Sequence, residues 1–422
     1  MTAAATRPAY AKAWRNAIFV VFTLNGFGAA AWISRIPSVR DHLHISITEV
    51  GLLILGVSFG AIVGIIASSH VIHWLGERRT ILLFLAGAGI ALAVIGLGAT
   101  AFSSFGVALL GYALYGFASG ICDVAMNVSG AGSERANGRN IMPWFHASWS
   151  FGTVTGAGLG SLAAFAGVDV ALHLGVVAAL LFVGAFVVIR WIPSDEALAD
   201  ARGDDHSKPS FRDRMSIWLN PRTLLIGLIV LGMAFTEGSA NDWIAIGFID
   251  DRGFDNGQGA LVFGVFTVAM TAGRIAGVPL LDRFGRVAVL RGASLAAAAG
   301  LAIVILVPVI PIAIAGVVLW GLGASLGFPV GMSAAADDPK NAAASVSAVA
   351  TIGYAAFLIG PPLIGFVGDQ IGVLNALWIV LGLIIVATIA IPAAREPRDA
   401  EAAGPSATGA TAGPSETTAA RP

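Results

Sequence analysis

Charged residues are scarce in this 422-residue chain. Its 24 Lys and Arg and 25 Asp and Glu make up 12% of the residues, against roughly 25% in ordinary soluble domains. Apolar residues reach 57% and the mean hydropathy is +0.83, so there is more apolar surface than a water-soluble fold can hide. This composition excludes an ordinary cytosolic enzyme and a disordered protein. The net charge of −1 excludes the basic field that a nucleic-acid binder needs.

Cysteine is nearly absent, and a phosphate-binding loop is missing. Cys122 is the single cysteine, so an intramolecular disulfide and a thiolate metal cluster are both excluded. No G-x-x-x-x-G-K-[ST] motif occurs, which argues against direct drive by ATP within this chain. We therefore expect no cofactor and no metal site.

Twelve apolar stretches are long enough to cross the ~30 Å hydrocarbon core of a bilayer, which takes roughly 20 helical residues. They lack the alternation of barrel strands, and unpaired backbone groups are costly in lipid, so they must be helices. The predicted fold is an all-α integral membrane protein with twelve transmembrane helices in two pseudo-symmetric six-helix bundles. The predicted spans, numbered 1 to 12, are 16–34, 48–70, 79–98, 104–127, 146–166, 170–192, 222–248, 257–278, 287–307, 311–334, 345–368 and 374–392.

Basic residues predict the orientation, because cytoplasmic loops are rich in Lys and Arg. With both termini inside, 21 of the 24 Lys and Arg are cytoplasmic and only Arg35, Arg40 and Arg252 are outside. We therefore expect a multi-pass protein of the bacterial cytoplasmic (inner) membrane. The predicted segments are a cytoplasmic N-terminus (1–15), an N-terminal six-helix bundle (16–192), a central cytoplasmic loop (193–221), a C-terminal six-helix bundle (222–392) and a disordered cytoplasmic tail (393–422).

The two halves of the chain resemble each other when they are laid in parallel. Residues 51–57 of span 2 match residues 259–265 of span 8, and Trp32 of span 1 matches Trp243 of span 7. Glycines also recur every fourth residue in spans 2 and 5, at positions 56, 60 and 64 and at positions 152, 156 and 160. Small residues at this spacing allow close helix approach, either for static packing or for a sliding seam between moving halves.

A basic motif follows span 8. The residues Asp282-Arg283-Phe284-Gly285-Arg286 match the D-R-x-G-R signature of the major facilitator superfamily, and the twelve spans and two parallel halves also resemble that family. The resemblance implies a cytoplasmic gate braced by Asp282, Arg283, Gly285 and Arg286. The equivalent loop after span 2 keeps Gly76 and Arg78 but lacks the Asp, so the resemblance implies an asymmetric latch.

A second resemblance lies in and after span 4. Asp123-Val-Ala-Met-Asn127, followed by residues 138–147, is similar to a bacterial YbjJ-like subgroup related to the fucose permeases. Fucose permeases use one carboxylate on span 1 and another on span 4. Here span 1 offers Asn25 instead, and span 4 supplies Asp123.

Polar residues inside the spans are the candidate site residues. A carboxylate within a span costs at least about 2.5–3.5 kcal/mol, so it should face a wet cavity or a partner. Asp123 and Asn127 share one face of span 4, and Glu237 and Asn241 repeat that spacing on span 7. Each pair either binds a polar solute or is pinned to a neighbouring helix. The intervening Gly238-Ser239-Ala240 suggests that span 7 unwinds locally.

Three further spans contribute weaker candidates. His146 and Ser150 begin a polar stripe on span 5, where His146 is either a proton relay or an interfacial residue. Asn25 is a candidate cavity residue, and Arg274 is expected to snorkel to the cytoplasm or to pair with the gate loop. The aromatic residues Trp149, Tyr354 and Phe357 either line the cavity or serve as ordinary packing.

These observations predict a secondary active transporter, not an enzyme, that moves a small polar or amphipathic solute by alternating access. Proton coupling through Asp123 or Glu237 is a further hypothesis. The expected partners are a small-molecule substrate and the lipid bilayer, with no nucleic acid, and the expected state is a monomer. A drug or metabolite efflux antiporter and a non-transporting membrane receptor or scaffold remain as alternatives.

Overall fold

The computed structural model describes residues 7–137, 141–193, 218–337 and 342–396. Within these ranges the chain forms helices and short connections, without strands. The N-terminal half contains Arg7–Ile33, Ile36–Leu43, Ile47–Ala99, Phe105–Asn137, Met142–Phe165, Val170–Val188 and the 3-10 turn Ile189–Trp191. The C-terminal half contains Pro221–Arg252, Asn256–Leu306, Ile310–Ala324, Gly327–Ala335, Ala342–Ile371, Val373–Ala376, Trp378–Ala390 and the 3-10 turn Ile391–Ala394. Most of the predicted central loop and tail lies outside the described residues.

The twelve predicted spans are present as helices. Nine helical segments in the described ranges are long and apolar enough to cross a membrane, and two of them, of 53 and 51 residues, contain two spans each. The twelfth span is Met142–Phe165, in which Gly, Ser and Thr lower the hydropathy. Span 10 is formed by Ile310–Ala324 and Gly327–Ala335 in succession. The twelve-helix, all-α fold predicted from the sequence is therefore confirmed.

Both long helices change direction at a glycine. Gly76 has φ 75° and ψ 166°, and Gly285 has φ 73° and ψ 166°. Glycine adopts this region without a steric penalty because it has no Cβ. These two glycine elbows separate span 2 from span 3 and span 8 from span 9. Their shared torsions at equivalent places show that the duplication seen in the sequence extends to backbone detail.

Spans 2 and 8 also begin alike. Ser46 caps span 2 in a capping box with Glu49, and Asp255 caps span 8 in a capping box with Gln258. In each case the cap side chain accepts a bond from the third helical N–H, and the Glu or Gln side chain accepts one from the cap N–H. This arrangement satisfies two backbone donors at a helix start.

The repeated glycines pack helices together within one bundle. A methyl group at Gly60 or Gly64 would overlap backbone of Ala113 or Phe117 in span 4, and one at Gly156 would lie 2.6 Å from the carbonyl oxygen of Phe27 in span 1. Gly152 likewise faces the backbone of Thr23. These stripes therefore provide static packing, and the alternative of a sliding seam between halves is wrong for them.

The two bundles touch each other along two helix pairs. Span 2 packs against span 11, where Gly51 faces the carbonyl oxygen of Pro361, and span 5 packs against span 8, where Gly257 faces the ring of Phe165. The Ser161 hydroxyl of span 5 also donates to the carbonyl oxygen of Gly257 at 3.1 Å. The seam between the bundles is thus made by spans 2, 5, 8 and 11, which leaves spans 1, 4, 7 and 10 to face each other.

Candidate substrate site and gates

Two faces of the molecule are distinguished by the chain path. The terminal face carries the start of span 1 at Arg7, both glycine elbows and Glu396. The far face carries the connections between spans 1 and 2 and between spans 7 and 8, including Arg40 and Asp250. The candidate site residues lie on the spans between these two faces.

Asn25 of span 1 is held by its neighbours in the N-terminal bundle. The indole Nε1 of Trp149 donates to Asn25 Oδ1 at 3.3 Å, and Asn25 Nδ2 donates to the Ser119 hydroxyl at 3.5 Å. Asn25 itself is 5% exposed. Spans 1, 4 and 5 are thereby joined at one point by a polar network, and its members are fixed in orientation before any solute arrives.

Asp123 and Asn127 lie on one face of span 4, as their spacing predicts. Asn127 Nδ2 donates to the backbone carbonyl of Asp123 at 2.8 Å and lies 3.4 Å from Asp123 Oδ1. Asp123 is half-buried, and it has no ion-pair partner among the residues that the structure describes. Tyr354 of span 11, in the opposite bundle, lies close enough to interact with it electrostatically. An acid without a counter-ion at this depth requires water, a proton or a ligand.

Glu237 of span 7 forms an ion pair with Arg274 of span 8. The distance from Arg274 Nη2 to Glu237 Oε1 is 3.0 Å, and the two side chains are 29% and 16% exposed respectively. The expectation that Arg274 snorkels or pairs with the gate loop is wrong. An acid on the neighbouring span offers a nearer partner at the same depth, so the guanidinium has no need to reach the membrane surface.

The remaining span 7 candidates lie on an unbroken helix. Pro221–Arg252 is continuous, so the predicted unwinding at residues 238–240 is wrong. Gly238 is needed for space instead, because a methyl group there would lie 3.0 Å from the ring of Phe357. Asn241 lies one turn beyond Glu237 and is half-buried, like Asp242.

The span 5 candidates divide into two groups. His146 is exposed, with its ring edge-on to Phe22 at 5.3 Å, and it interacts electrostatically with Arg274 across the seam. Ser150 is buried, and its backbone carbonyl accepts the Thr153 hydroxyl at 2.8 Å. His146 is therefore available to a solute in this state, whereas Ser150 is enclosed.

Aromatic rings form one side of the space between the bundles. Tyr354 and Phe357 of span 11 have ring centroids 6.5 Å apart, and Phe328 of span 10 lies 6.1 Å from Tyr354. Tyr354 is 36% exposed. These rings belong to the C-terminal bundle, whereas the polar network of Asn25 and Trp149 belongs to the N-terminal bundle.

The D-R-x-G-R motif lies on the terminal face, where Arg286 binds within its own bundle. Arg286 Nη1 lies 2.6 Å from Asp337 Oδ1, and Arg222 Nη2 lies 2.7 Å from Asp337 Oδ2. Asp337 is therefore clamped between the starts of spans 7 and 9, with its side chain 8% exposed. Arg286 also reaches Glu396 at 3.4 Å. Sequence reasoning missed Asp337 and Arg222, because nothing in the motif indicates that its Arg reaches the end of span 10.

The other motif residues are more open. Asp282 and Arg283 are exposed, and the Arg283 guanidinium lies 5.3 Å from the centroid of the Phe284 ring. In the loop after span 2, the carbonyl of Gly76 accepts the Thr80 hydroxyl at 2.6 Å, and Arg78 lies close enough to Tyr10 to interact with it electrostatically.

The far face is closed by polar contacts between the bundles. Arg40 Nη1 lies 2.5 Å from Asp250 Oδ2, and Asn256 Nδ2 donates to Asp41 Oδ2 at 2.7 Å. The Thr48 hydroxyl donates to Asp369 Oδ2 at 2.7 Å. We call these three contacts the far-face ties; they were not predicted from the sequence. Within the described parts of the chain, no hydrogen bond between side chains joins the bundles at the terminal face.

Arg40 remains charged in this closed arrangement. Burial alone would lower the pKa of its guanidinium, but the hydrogen bond and the charge of Asp250 outweigh burial, and the pKa is raised. The Arg40 contact is thus a permanent charge pair for as long as Asp250 is ionised.

Comparison with known proteins identifies the architecture. The family model described as "Major Facilitator Superfamily" matches residues 18–355, and again residues 238–420. The chain belongs to the major facilitator superfamily. It is therefore a multi-pass membrane protein that carries out secondary active transport, and it is not an enzyme.

Individual relatives agree with this assignment. An uncharacterised MFS-type transporter of Yersinia pestis is 31% identical over 379 residues, which cover 89% of this chain and 93% of that protein. Among solved structures, the nucleoside transporter NupG has a TM-score of 0.71 at 16% identity and covers 91% of this chain and 98% of its own. The fucose:proton symporter FucP of E. coli has a TM-score of 0.62 at 15% identity, with 91% and 98% covered. At these identities, the two structures show the shared fold alone.

Proposed function

We propose that this transporter moves a small polar solute across the bacterial cytoplasmic membrane together with protons, by alternating access between the two bundles. The single observation that carries the proposal is Asp123, a half-buried acid on a membrane span with no ion-pair partner in the described chain. An acid, an amide and an ion pair bind a proton or a polar solute, but they gain nothing from contact with a lipid substrate.

The conformation supports alternating access. The three far-face ties join the bundles at one end, and contacts of that kind are missing at the other end among the residues described. We propose that the far face is periplasmic and that the terminal face, with both chain termini, is cytoplasmic. The bias of Lys and Arg supports this orientation. The structure then represents an inward-open state.

The two rocking units are proposed to be residues 16–192 and 222–392, connected by the cytoplasmic loop 193–221. Spans 1, 4, 7 and 10 face the space between the units, while the span 2–11 and span 5–8 pairs form the surfaces on which the units move. The monomer is sufficient for this mechanism, because both halves of the site come from one chain.

Most of the candidate residues then have a proposed role. Asp123 carries the coupled proton, since its charge has no other compensation. Asn25, Asn127 and Asn241 hydrogen-bond the solute, and Tyr354 and Phe357 pack against its apolar face. Asp282, Arg283, Gly285 and Arg286, together with Gly76 and Arg78, belong to the cytoplasmic gate, which is open in this state.

The structural neighbours support a polar solute. NupG is named as a nucleoside transporter and FucP as a fucose:proton symporter, and both of those solutes are small and rich in hydrogen-bonding groups. FucP is described as a proton symporter, and the proton is the coupling ion that we propose here.

The test uses purified protein in proteoliposomes. A thermal-shift screen with sugars, nucleosides, amino acids, organic acids and common drugs first finds a solute that stabilises the native state. Uptake of that solute under an inward proton gradient is then compared in wild type, Asp123→Asn and the control Asp204→Asn, which lies in the central loop. We expect Asp123→Asn to abolish gradient-driven accumulation while solute exchange continues, and Asp204→Asn to retain accumulation.

Other results distinguish the alternatives. Accumulation that persists in Asp123→Asn removes that acid from the coupling mechanism. Solute extrusion driven by the same gradient shows an efflux antiporter, and saturable binding without flux under any gradient shows a receptor.

A further inference from the structure

Arg274 has an unusual position for a basic residue. It lies 18 residues after the start of span 8 at Asn256, which is about 27 Å along a helix, and 11 residues before the elbow at Gly285, which is about 16 Å. Within predicted span 8, Arg274 lies four residues before the end at residue 278, which is about 6 Å along a helix. A cation inside a span is costly unless it is paired, snorkels to the surface or faces a wet cavity, and here Arg274 pairs with Glu237.

The pairing of Arg274 with Glu237 uses only part of the guanidinium. A guanidinium carries five N–H donors in a planar fork, and the contact with Glu237 is a single Nη2–Oε1 approach at 3.0 Å rather than a two-bond fork. The side chain remains 29% exposed. Arg–carboxylate pairs are frequently bidentate, so this single contact leaves donors of Arg274 available.

An imidazole faces Arg274 from the other bundle. His146 on span 5 is exposed and interacts electrostatically with Arg274 across the seam. The two nitrogen-bearing side chains come from different bundles and approach one location, so an anion there would contact both moving units at once.

Resting on the proposed function, we propose that the transported solute carries a carboxylate, and that this carboxylate binds Arg274 by displacing Glu237, with His146 as its contact on the opposite bundle. The unused N–H donors of Arg274 match two carboxylate oxygens in one plane. Glu237 is then an internal competitor that occupies the cation when the solute is absent.

This substrate class explains why protons accompany transport. Glu237 pairs with Arg274 on span 8, and Arg274 interacts electrostatically with His146 on span 5. Asp123 on span 4 interacts electrostatically with Tyr354 on span 11, and Asp242 lies on the same helix as Glu237. An arriving anion meets the negative charge of Asp123 and of the displaced Glu237 in the same space. If either acid binds one proton, that proton balances the negative charge of the solute. The site with solute and proton bound then has the same net charge as the empty site.

The experiment compares acids with their neutral counterparts. The probes are D-glucuronate with D-glucose, D-gluconate with sorbitol, and lactate with 1,2-propanediol, and each is measured by thermal shift and by uptake into proteoliposomes. The proteins are wild type, Arg274→Gln, Arg274→Lys, Glu237→Gln and the double variant Glu237→Gln/Arg274→Gln. The double variant leaves no unpaired buried charge, so it separates loss of binding from loss of folding.

We expect at least one acid to stabilise wild type more than its neutral counterpart does. Arg274→Gln and the double variant should weaken binding of that acid by about 10- to 100-fold, as befits the loss of bonds to a charged group, and Arg274→Lys should be intermediate. Glu237→Gln should bind the acid more tightly than wild type, because the competitor for Arg274 is gone.

The proposal is overturned if no acid in the panel stabilises wild type, if neutral counterparts bind as well as the acids, or if the double variant keeps wild-type affinity. Gradient-driven uptake of a neutral solute that requires Asp123 would leave the proposed function standing while removing this inference. Failure of all solute uptake would contradict the proposed function itself.

Discussion

The guanidinium of Arg40 lies 2.5 Å from the carboxylate of Asp250, and this contact connects the N-terminal bundle to the far-face end of span 7. The two side chains are 15% and 26% exposed. A partly exposed pair of this kind contributes roughly 1 kcal/mol, since solvent screens it, and that corresponds to about a fivefold change in the ratio of two conformations.

Arg40→Gln should therefore shift the protein towards a state that is open at the far face. Ser161 is buried in the seam beside Gly257, so Ser161→Cys serves as a reporter, and the native Cys122 is buried and adds little background. We expect labelling of this cysteine by a membrane-impermeant maleimide to rise by roughly two- to tenfold in Arg40→Gln.

The control for this experiment is the exchanged pair Arg40→Asp/Asp250→Arg, which restores opposite charges across the bundles. Labelling should return towards the wild-type rate. Equal labelling in wild type and Arg40→Gln would show that the charge pair does not hold the far face closed.

Asp337→Asn should destabilise the C-terminal bundle, because it removes the charge that Arg222 and Arg286 share. Two guanidinium groups would then lie together without an anion between them, and we expect a loss of about 1–3 kcal/mol. The measurement is thermal unfolding in detergent, with Asp282→Asn, at an exposed site on the same face, as the matched control. A melting temperature that falls equally in both variants would contradict the clamp at Asp337.

Gly60→Ala should weaken the packing of span 2 on span 4, since the added methyl group overlaps the carbonyl oxygen of Ala113. Backbone cannot move aside as a side chain can, so we expect a loss of roughly 1–3 kcal/mol. Gly264→Ala in span 8 is the control, because a methyl group there meets no atom within 4 Å. If the two variants have the same melting temperature, the close approach of the helices at Gly60 does not contribute to stability.

Trp149→Phe should raise the KM for the solute while leaving the protein folded. The substitution removes the indole N–H that orients Asn25 at 3.3 Å, and the loss of one neutral hydrogen bond corresponds to about a fivefold effect. Uptake kinetics give the measurement, and Trp144→Phe, at an exposed position near the start of the same span, is the control. An unchanged KM in Trp149→Phe would remove Asn25 from the solute site.

The fold was largely predictable because lipid imposes a simple rule on the sequence. Each span needs one long apolar run, and such runs can be recognised in the sequence without knowing the tertiary contacts. Met142–Phe165 is the weakest of these runs, since its Gly and Ser residues lower its hydropathy. Gly76 and Gly285 were both expected in connections, but their shared torsions required the structure.

The site was predictable only in part, for a different reason. Asp123, Asn127 and Glu237 stand out as polar residues in apolar runs. Their partners do not, because Arg274 is 37 residues from Glu237 and Asp250 is 210 residues from Arg40. A single sequence shows which side chains are costly in lipid, but it does not show which distant side chain relieves the cost.

Substitutions at the two glycine elbows should affect the fold more than their change in hydrophobicity indicates. At Gly76 and Gly285, exchange for alanine barely alters any hydrophobicity profile, yet it asks a residue with a Cβ to hold a backbone conformation that such residues avoid. A changed backbone conformation at either elbow would rotate one span against the next. Such a substitution should therefore disturb the packing of the bundle although it leaves the hydrophobicity of the chain almost unchanged.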